Sequence, residues 1–148
     1  MMTDETRSAP ATTTAAPGPT PETAQSYREY PHRGVRVSGQ DGEEGPKAFY
    51  IHIEALPGKE DLVIRMLEDI LDCVREEPAT GPWYAVRYSK TTFGIFEVFP
   101  NLAGRRAHVE GGGGDIFRDV ERMNAILAYP AHVHRLDVLM GKEVFARG

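Results

Sequence analysis

The sequence predicts an α+β fold of the ferredoxin-like βαββαβ type built on an antiparallel sheet. Three observations carry this expectation. Apolar residues alternate with period two in four short runs, and they recur at helical spacing in two longer ones. Pro, Gly and Asn stand at the junctions, and the order is strand, helix, strand, strand, helix, strand. Right-handed crossovers then place both helices on one face of a four-stranded sheet.

Residues 1–25 are mostly Thr, Ala and Pro with scattered charge. They hold too few large apolar groups to offset the entropy of ordering, so disorder is expected. Residues 27–37 (YREYPHRGVRV) read as an arm against the domain or a partner subunit, and 38–46 (SGQDGEEGP) as a linker. The expected organisation is a disordered tail and linker over 1–46, a folded domain over 47–143 and a short extension over 144–148.

The first strand spans 48–56 (AFYIHIEAL). Phe49, Ile51, Ile53 and Ala55 share one face; Tyr50, His52, Glu54 and Leu56 share the other. Pro57-Gly58 ends it. The helix over 59–76 carries Leu62, Val63, Met66, Leu67, Ile70, Leu71 and Val74 on one side and an acidic, solvated face opposite. Two aromatic runs, 83–88 and 93–99, flank the polar tetrad SKTT and read as a β-hairpin. Asn101 is a candidate N-cap for a short helix over 102–109 that carries His108. Asp115 would cap a second long helix over 116–128, which Pro130 stops before a last strand over 132–140.

Strands one to three carry large apolar groups in both parities, which a sheet exposed on one side does not need. A two-fold copy packed on that face is the simplest cover, so a homodimer is expected. The net charge of -5 argues against a nucleic-acid partner, because binding phosphates requires a basic face. No apolar run approaches the roughly 20 residues that span a bilayer, and the N-terminus lacks a secretory h-region. The single cysteine, Cys73, reads as inert core and suits a reducing compartment, so a cytoplasmic location is expected.

The stretch WYAVRYSKTTFGIFEVFPNLAGRRAHVEG resembles the antibiotic-biosynthesis monooxygenase family of dimeric α/β-barrel proteins. In many members the second strand reads W-Y-A-hydrophobic-R, the third T-F-G-I-F-hydrophobic-x-F, and the helix A-x-R-x-A-H-hydrophobic. The resemblance implies a cofactor-independent oxygenase acting on a quinol or polycyclic phenol. It implies that His108 and Arg87 are the catalytic pair, the first taking a phenolic proton and the second stabilising the anion. Trp83 and Tyr84 would clamp the ring, with Tyr50, His52 and Phe96 completing the substrate contacts. A non-catalytic ligand-binding homodimer, or a cyclase- or isomerase-type relative, are the alternatives. The family's oxygen-handling Asn and Trp positions are Thr92 and Phe96 here. The haem-degrading branch's Asn on strand one has no counterpart beside Ile51 and His52.

Each candidate also has a structural role open to it. His108 could satisfy a buried hydrogen bond, Trp83 could fill core or dimer space, and Arg87 could form a cross-strand ion pair with Glu97. His52, His132, His134 and Glu54 are metal-ligand types on neighbouring strands, but their spacing is no metal signature, and neither a metal nor any other cofactor is expected. Gly111–Gly114 lacks the Lys-Ser/Thr of a phosphate loop and reads as a loose rim to the pocket.

Overall fold

The computed structural model describes residues 34–142. Expectations for 1–33 and 143–148 lie outside the described residues. The elements are β1 (Val35–Ser38), β2 (Lys47–Glu54), α1 (Glu60–Val74), β3 (Trp83–Arg87), β4 (Thr92–Phe99), α2 (Leu102–Val109), α3 (Gly112–Arg118), α4 (Val120–Ile126) and β5 (Ala131–Asp137). They form one open five-stranded sheet in the order β1-β5-β2-β4-β3. The expected βαββαβ core is present: β2 lies between β4 and β5, antiparallel to both, and β3–β4 is the hairpin.

The face packed against the helices carries Phe49, Ile51 and Ile53 of β2 with Phe93, Ile95 and Phe99 of β4. Val63, Met66, Ile70 and Val74 of α1 close over them, one helical stripe meeting one sheet face. Leu62, read as part of that stripe, is exposed at its edge. Asn101 caps α2 as expected, its Oδ1 accepting from the Gly104 N–H at 2.8 Å.

Four expectations are corrected. The sheet has a fifth strand, β1, parallel to β5, with Val35 opposite Ala131 and Val37 opposite Val133. The folded unit therefore includes at least residues 34–46, ahead of the boundary expected at Lys47. The segment 38–46 is no free linker either. The buried Lys47 ammonium reaches Asp137 at 2.6 Å and the Glu43 carbonyl, and the Val138 N–H donates to Pro46 at 3.0 Å. Gly42 makes this packing possible: its φ is +75°, and a Cβ there would fall 2.2 Å from an Asp137 oxygen. Glycine and acid content suggested flexibility, but here they serve close approach and an ion pair.

The third correction concerns the helix expected over 116–128, which is two short helices. Asp119 breaks them (φ -78°, ψ 83°) because its side chain turns back to accept from the Arg122 N–H, capping α4. The glycine run is no loose rim but the first turn of α3. A Cβ on Gly114 would sit 1.9 Å from the Val109 carbonyl oxygen, so only glycine lets α3 fold back onto the end of α2.

Candidate functional site: a cavity between the sheet and helix α2

His108 occupies the last turn of α2, where a cation meets the negative end of the helix. Its ring lies against Phe99 and Phe49, with centroids 5.2 and 6.3 Å away, and the residue is 7% exposed. Both ring nitrogens face carboxylates. Nδ1 is 2.6 Å from Oε1 of Glu77, which also accepts from Thr80 Oγ1 at 2.8 Å. Nε2 is 3.1 Å from Oε1 of Glu97, a close ionic contact rather than an aligned hydrogen bond.

Glu97 points inward because β4 alternates, and it shares its face with Phe93, Ile95 and Phe99. It is 0% exposed, and neither carboxyl oxygen has an aligned hydrogen-bond donor among the described residues. Burial pushes its pKa up, and the neighbouring His108 only partly offsets this. Burial also opposes charge on His108, but Glu97 and then Glu77 outweigh it and raise the imidazole to about 9. Near neutral pH the ring is therefore an imidazolium gripped from both sides, and burial makes Glu97 a more basic carboxyl than an exposed one.

This pair borders a cavity of about 470 Å³ between the sheet and α2–α3. Phe49, Ile51, Val133, Phe117 and the β1 residues Val35 and Val37 supply apolar walls. At another part of the wall stand Arg105, Arg106, Arg135 and Asp41. Arg105 is buried, its Nη1 donating to the carbonyls of Ala48 and Leu136 at 3.2 and 3.1 Å. Glu97 borders the cavity yet presents no surface to water. Proton transfer between Glu97 and a group lodged there therefore requires the Glu97 or His108 side chain to shift.

The structure does not bring the other expected residues to this cavity. Register places Trp83 opposite Glu97 and Arg87 opposite Phe93, so the expected Arg87–Glu97 pair is absent. Arg87 instead donates to the carbonyls of Ser89 and Lys90, and its guanidinium covers the Phe93 ring at 4.9 Å. With Trp83 it borders a smaller groove of about 260 Å³ against α1. Tyr50, His52, Tyr84 and Phe96 have the opposite parity and lie on the other face of the sheet, away from His108.

On that face the His132 and His134 rings lie 3.8 Å apart with their planes tilted by 35°, and His132 Nε2 is 2.7 Å from Ser38 Oγ. Glu54 accepts from the hydroxyls of Thr91 and Thr92 at 2.8 and 2.7 Å. Among the described residues no three His, Cys, Asp or Glu side chains converge as metal ligands. Partial burial and the acids around it raise the pKa of Cys73, so its thiol lacks the character of a nucleophile. The residues missed at the sequence level were Glu97, Glu77, Arg105, Arg135 and Asp41. Only Glu97 left a signal, as an acid in an inward position of an aromatic strand.

These features define an α+β protein with a ferredoxin-like core and a half-open, mostly apolar cavity bordered by a buried glutamate beside an imidazolium. The chain has the fold of the antibiotic-biosynthesis monooxygenases, as the comparison with solved structures shows. A Nitrosomonas europaea protein of unknown function is 27% identical, with a TM-score of 0.62 over 71% of this chain and 100% of that one. Two structures are each described as a "putative antibiotic biosynthesis monooxygenase". The one from Caulobacter crescentus is 17% identical, with a TM-score of 0.56 over 66% of this chain and 92% of its own. The other, from Nitrosomonas europaea, is 14% identical, with a TM-score of 0.57 over 66% and 94%. No protein-family profile and no curated protein matches the chain. Among the described residues no helix is long and apolar enough to cross a membrane.

Proposed function

We propose that the cavity is the active site of a cofactor-independent monooxygenase that oxidises a quinol or polycyclic phenol with dioxygen. The observation that carries this reading is the fully buried Glu97 carboxylate beside His108, on the border of an apolar cavity. A side-chain shift that opens Glu97 to the cavity lets it accept the phenolic proton, and the imidazolium beside it stabilises the charge that forms. The phenolate passes one electron to dioxygen, and the two radicals join in a C–O bond. Glu97 returns its proton to the peroxide, and loss of water across the adjacent C–H and O–O bonds leaves a ring carbonyl. One oxygen atom stays on the ring, the other leaves as water, and the substrate supplies every electron. Apolar walls keep competing water away from these steps.

A binding-only protein is the second reading. It is favoured by the engagement of both His108 nitrogens, which leaves that ring no free lone pair. Oxygen uptake separates the two. Native protein with hydroquinones and anthrols, in the presence of chelator, should consume oxygen above the buffer rate, and Glu97→Gln should lose most of it. Saturable binding with no uptake would overturn the oxygenase reading and leave the second standing.

The assembly we propose is a homodimer through the open sheet face. Tyr84, Val86, Tyr88, Phe96 and Leu136 leave an apolar surface there in the single chain, and among the described residues no element closes the sheet.

A further inference from the structure

Asp41 stands among three guanidinium groups on the cavity wall. Its Oδ2 is 3.1 Å from Nη2 of Arg106, and its Oδ1 is 3.4 Å from Nη2 of Arg105 and 3.9 Å from Nη1 of Arg135. One carboxylate thus answers three positive charges. The remaining acids nearby do not make up the difference. Asp137 is committed to the buried Lys47, Asp115 pairs with Arg118 at 2.5 Å, and Glu97 is engaged by His108. Glu110 stands on the rim. A hydrogen-bond vacancy accompanies the excess charge: the Nε of Arg135 is buried and has no acceptor among the described residues.

Arg105 is fixed, which matters for recognition. It is 2% exposed, two backbone carbonyls orient it, and its guanidinium lies 5.2 Å from the Phe49 ring centroid. Its Nη1 hydrogens are spent on those carbonyls and Nη2 faces Asp41, so Arg105 contributes a fixed positive charge behind Arg135 rather than a free donor fork. Phe49 and Val133, which also line the cavity, are suited to an aromatic body.

We infer that the Arg105–Arg135 end of the cavity, with Asp41 as its internal counter-ion, is an anion subsite that selects an aromatic substrate bearing a carboxylate. The inference rests on the reading of the cavity as a substrate site and narrows its substrate class to hydroxy-arene carboxylic acids. Asp41 belongs to the segment between β1 and β2, so the strand added at the sheet edge also delivers the residue that tunes selectivity.

The test compares two probes of equal ring size, 6-hydroxy-2-naphthoate and 2-naphthol, binding to the full chain under nitrogen and followed by fluorescence. The acid should bind about tenfold more tightly, the effect of one well-placed charge-assisted pair, and the preference should shrink as salt is raised. Arg135→Gln should abolish the preference while leaving naphthol affinity within about twofold. Asp41→Asn should tighten the acid alone, because the arginines lose their competitor. Equal binding of both probes, binding of neither, or a preference that survives Arg135→Gln would overturn the inference. Oxygen uptake with neutral hydroquinones is scored separately. Uptake without acid preference overturns only the anion subsite, and acid preference without uptake overturns only the oxygenase reading.

Discussion

The Nε2 of His108 lies 3.1 Å from the Oε1 of Glu97, within the layer where α2 meets the sheet. This contact links two groups that burial alone would leave neutral, and each sustains the charge of the other. It also makes stability depend on pH. The folded state holds His108 at about 9 against a reference of 6.5, so its contribution is complete below about 6.5 and is lost as pH rises to about 9. Glu97 acts in a lower window. Its raised pKa makes the folded state more stable below the reference of 4.5 and less so as pH climbs above it. Thermal melts from pH 6 to 10 should therefore fall across the upper window. In Glu97→Gln the His108 proton resonances should titrate at lower pH, and the fall should flatten. A His108 midpoint unchanged by that substitution would remove Glu97 as the cause.

Gly114→Ala tests the close approach of α3 to α2. A methyl group placed 1.9 Å from the Val109 oxygen must push backbone aside, and the expected cost is about 1–3 kcal/mol in denaturant unfolding. Gly141→Ala is the control, since nothing lies within 4 Å of a Cβ there, and it should be neutral within about 0.5 kcal/mol.

Ile53 and Phe93 face each other across β2 and β4, and both are buried. Replacing either with Ala removes side-chain contacts and leaves a cavity in the buried core. Ile53→Ala should cost about 2–5 kcal/mol and Phe93→Ala about 3–5, read from urea midpoints at constant slope. Because the two side chains pair, the double variant should cost less than the sum of the single ones.

The open sheet face carries a prediction about assembly. Phe96, 38% exposed in the single chain, lies opposite Tyr84, which is 56% exposed. Sedimentation of the native chain should give twice the monomer mass at micromolar concentration. Phe96→Glu would bury a charge in the paired state, so it should shift that mass to the monomer while the far-ultraviolet spectrum is kept. A native chain sedimenting as a monomer would overturn the homodimer.

Much of the fold was legible because local chemistry and global packing agree. The 3.6-residue stripe of α1, the alternation of β2 and the aromatic hairpin each identify an element without reference to any other. The capping of α2 by Asn101 was equally local. Where the reading failed, the deciding partner was distant in sequence. Residues 38–46 look like a linker until Asp137 and Arg135 of β5 are placed beside them. The break at Asp119 depended on whether its side chain capped the helix it ended or the one it began.

By itself the sequence determined the ferredoxin-like order of elements, the division of the first strand into two faces and the place of His108 on a short capped helix. Period and capping are properties of neighbouring residues, and they survive in the linear text. Only the tertiary structure decided which polar groups share a site. Strand parity sent Tyr50, His52, Tyr84 and Phe96 to the face opposite His108, and hairpin register set Arg87 against Phe93 instead of Glu97. It also decided that Glu97 and Glu77, about 20 residues apart in sequence, would grip one imidazole. Those distances follow from how strands pair and helices pack, and a pairing between distant segments leaves no local period for the sequence to display.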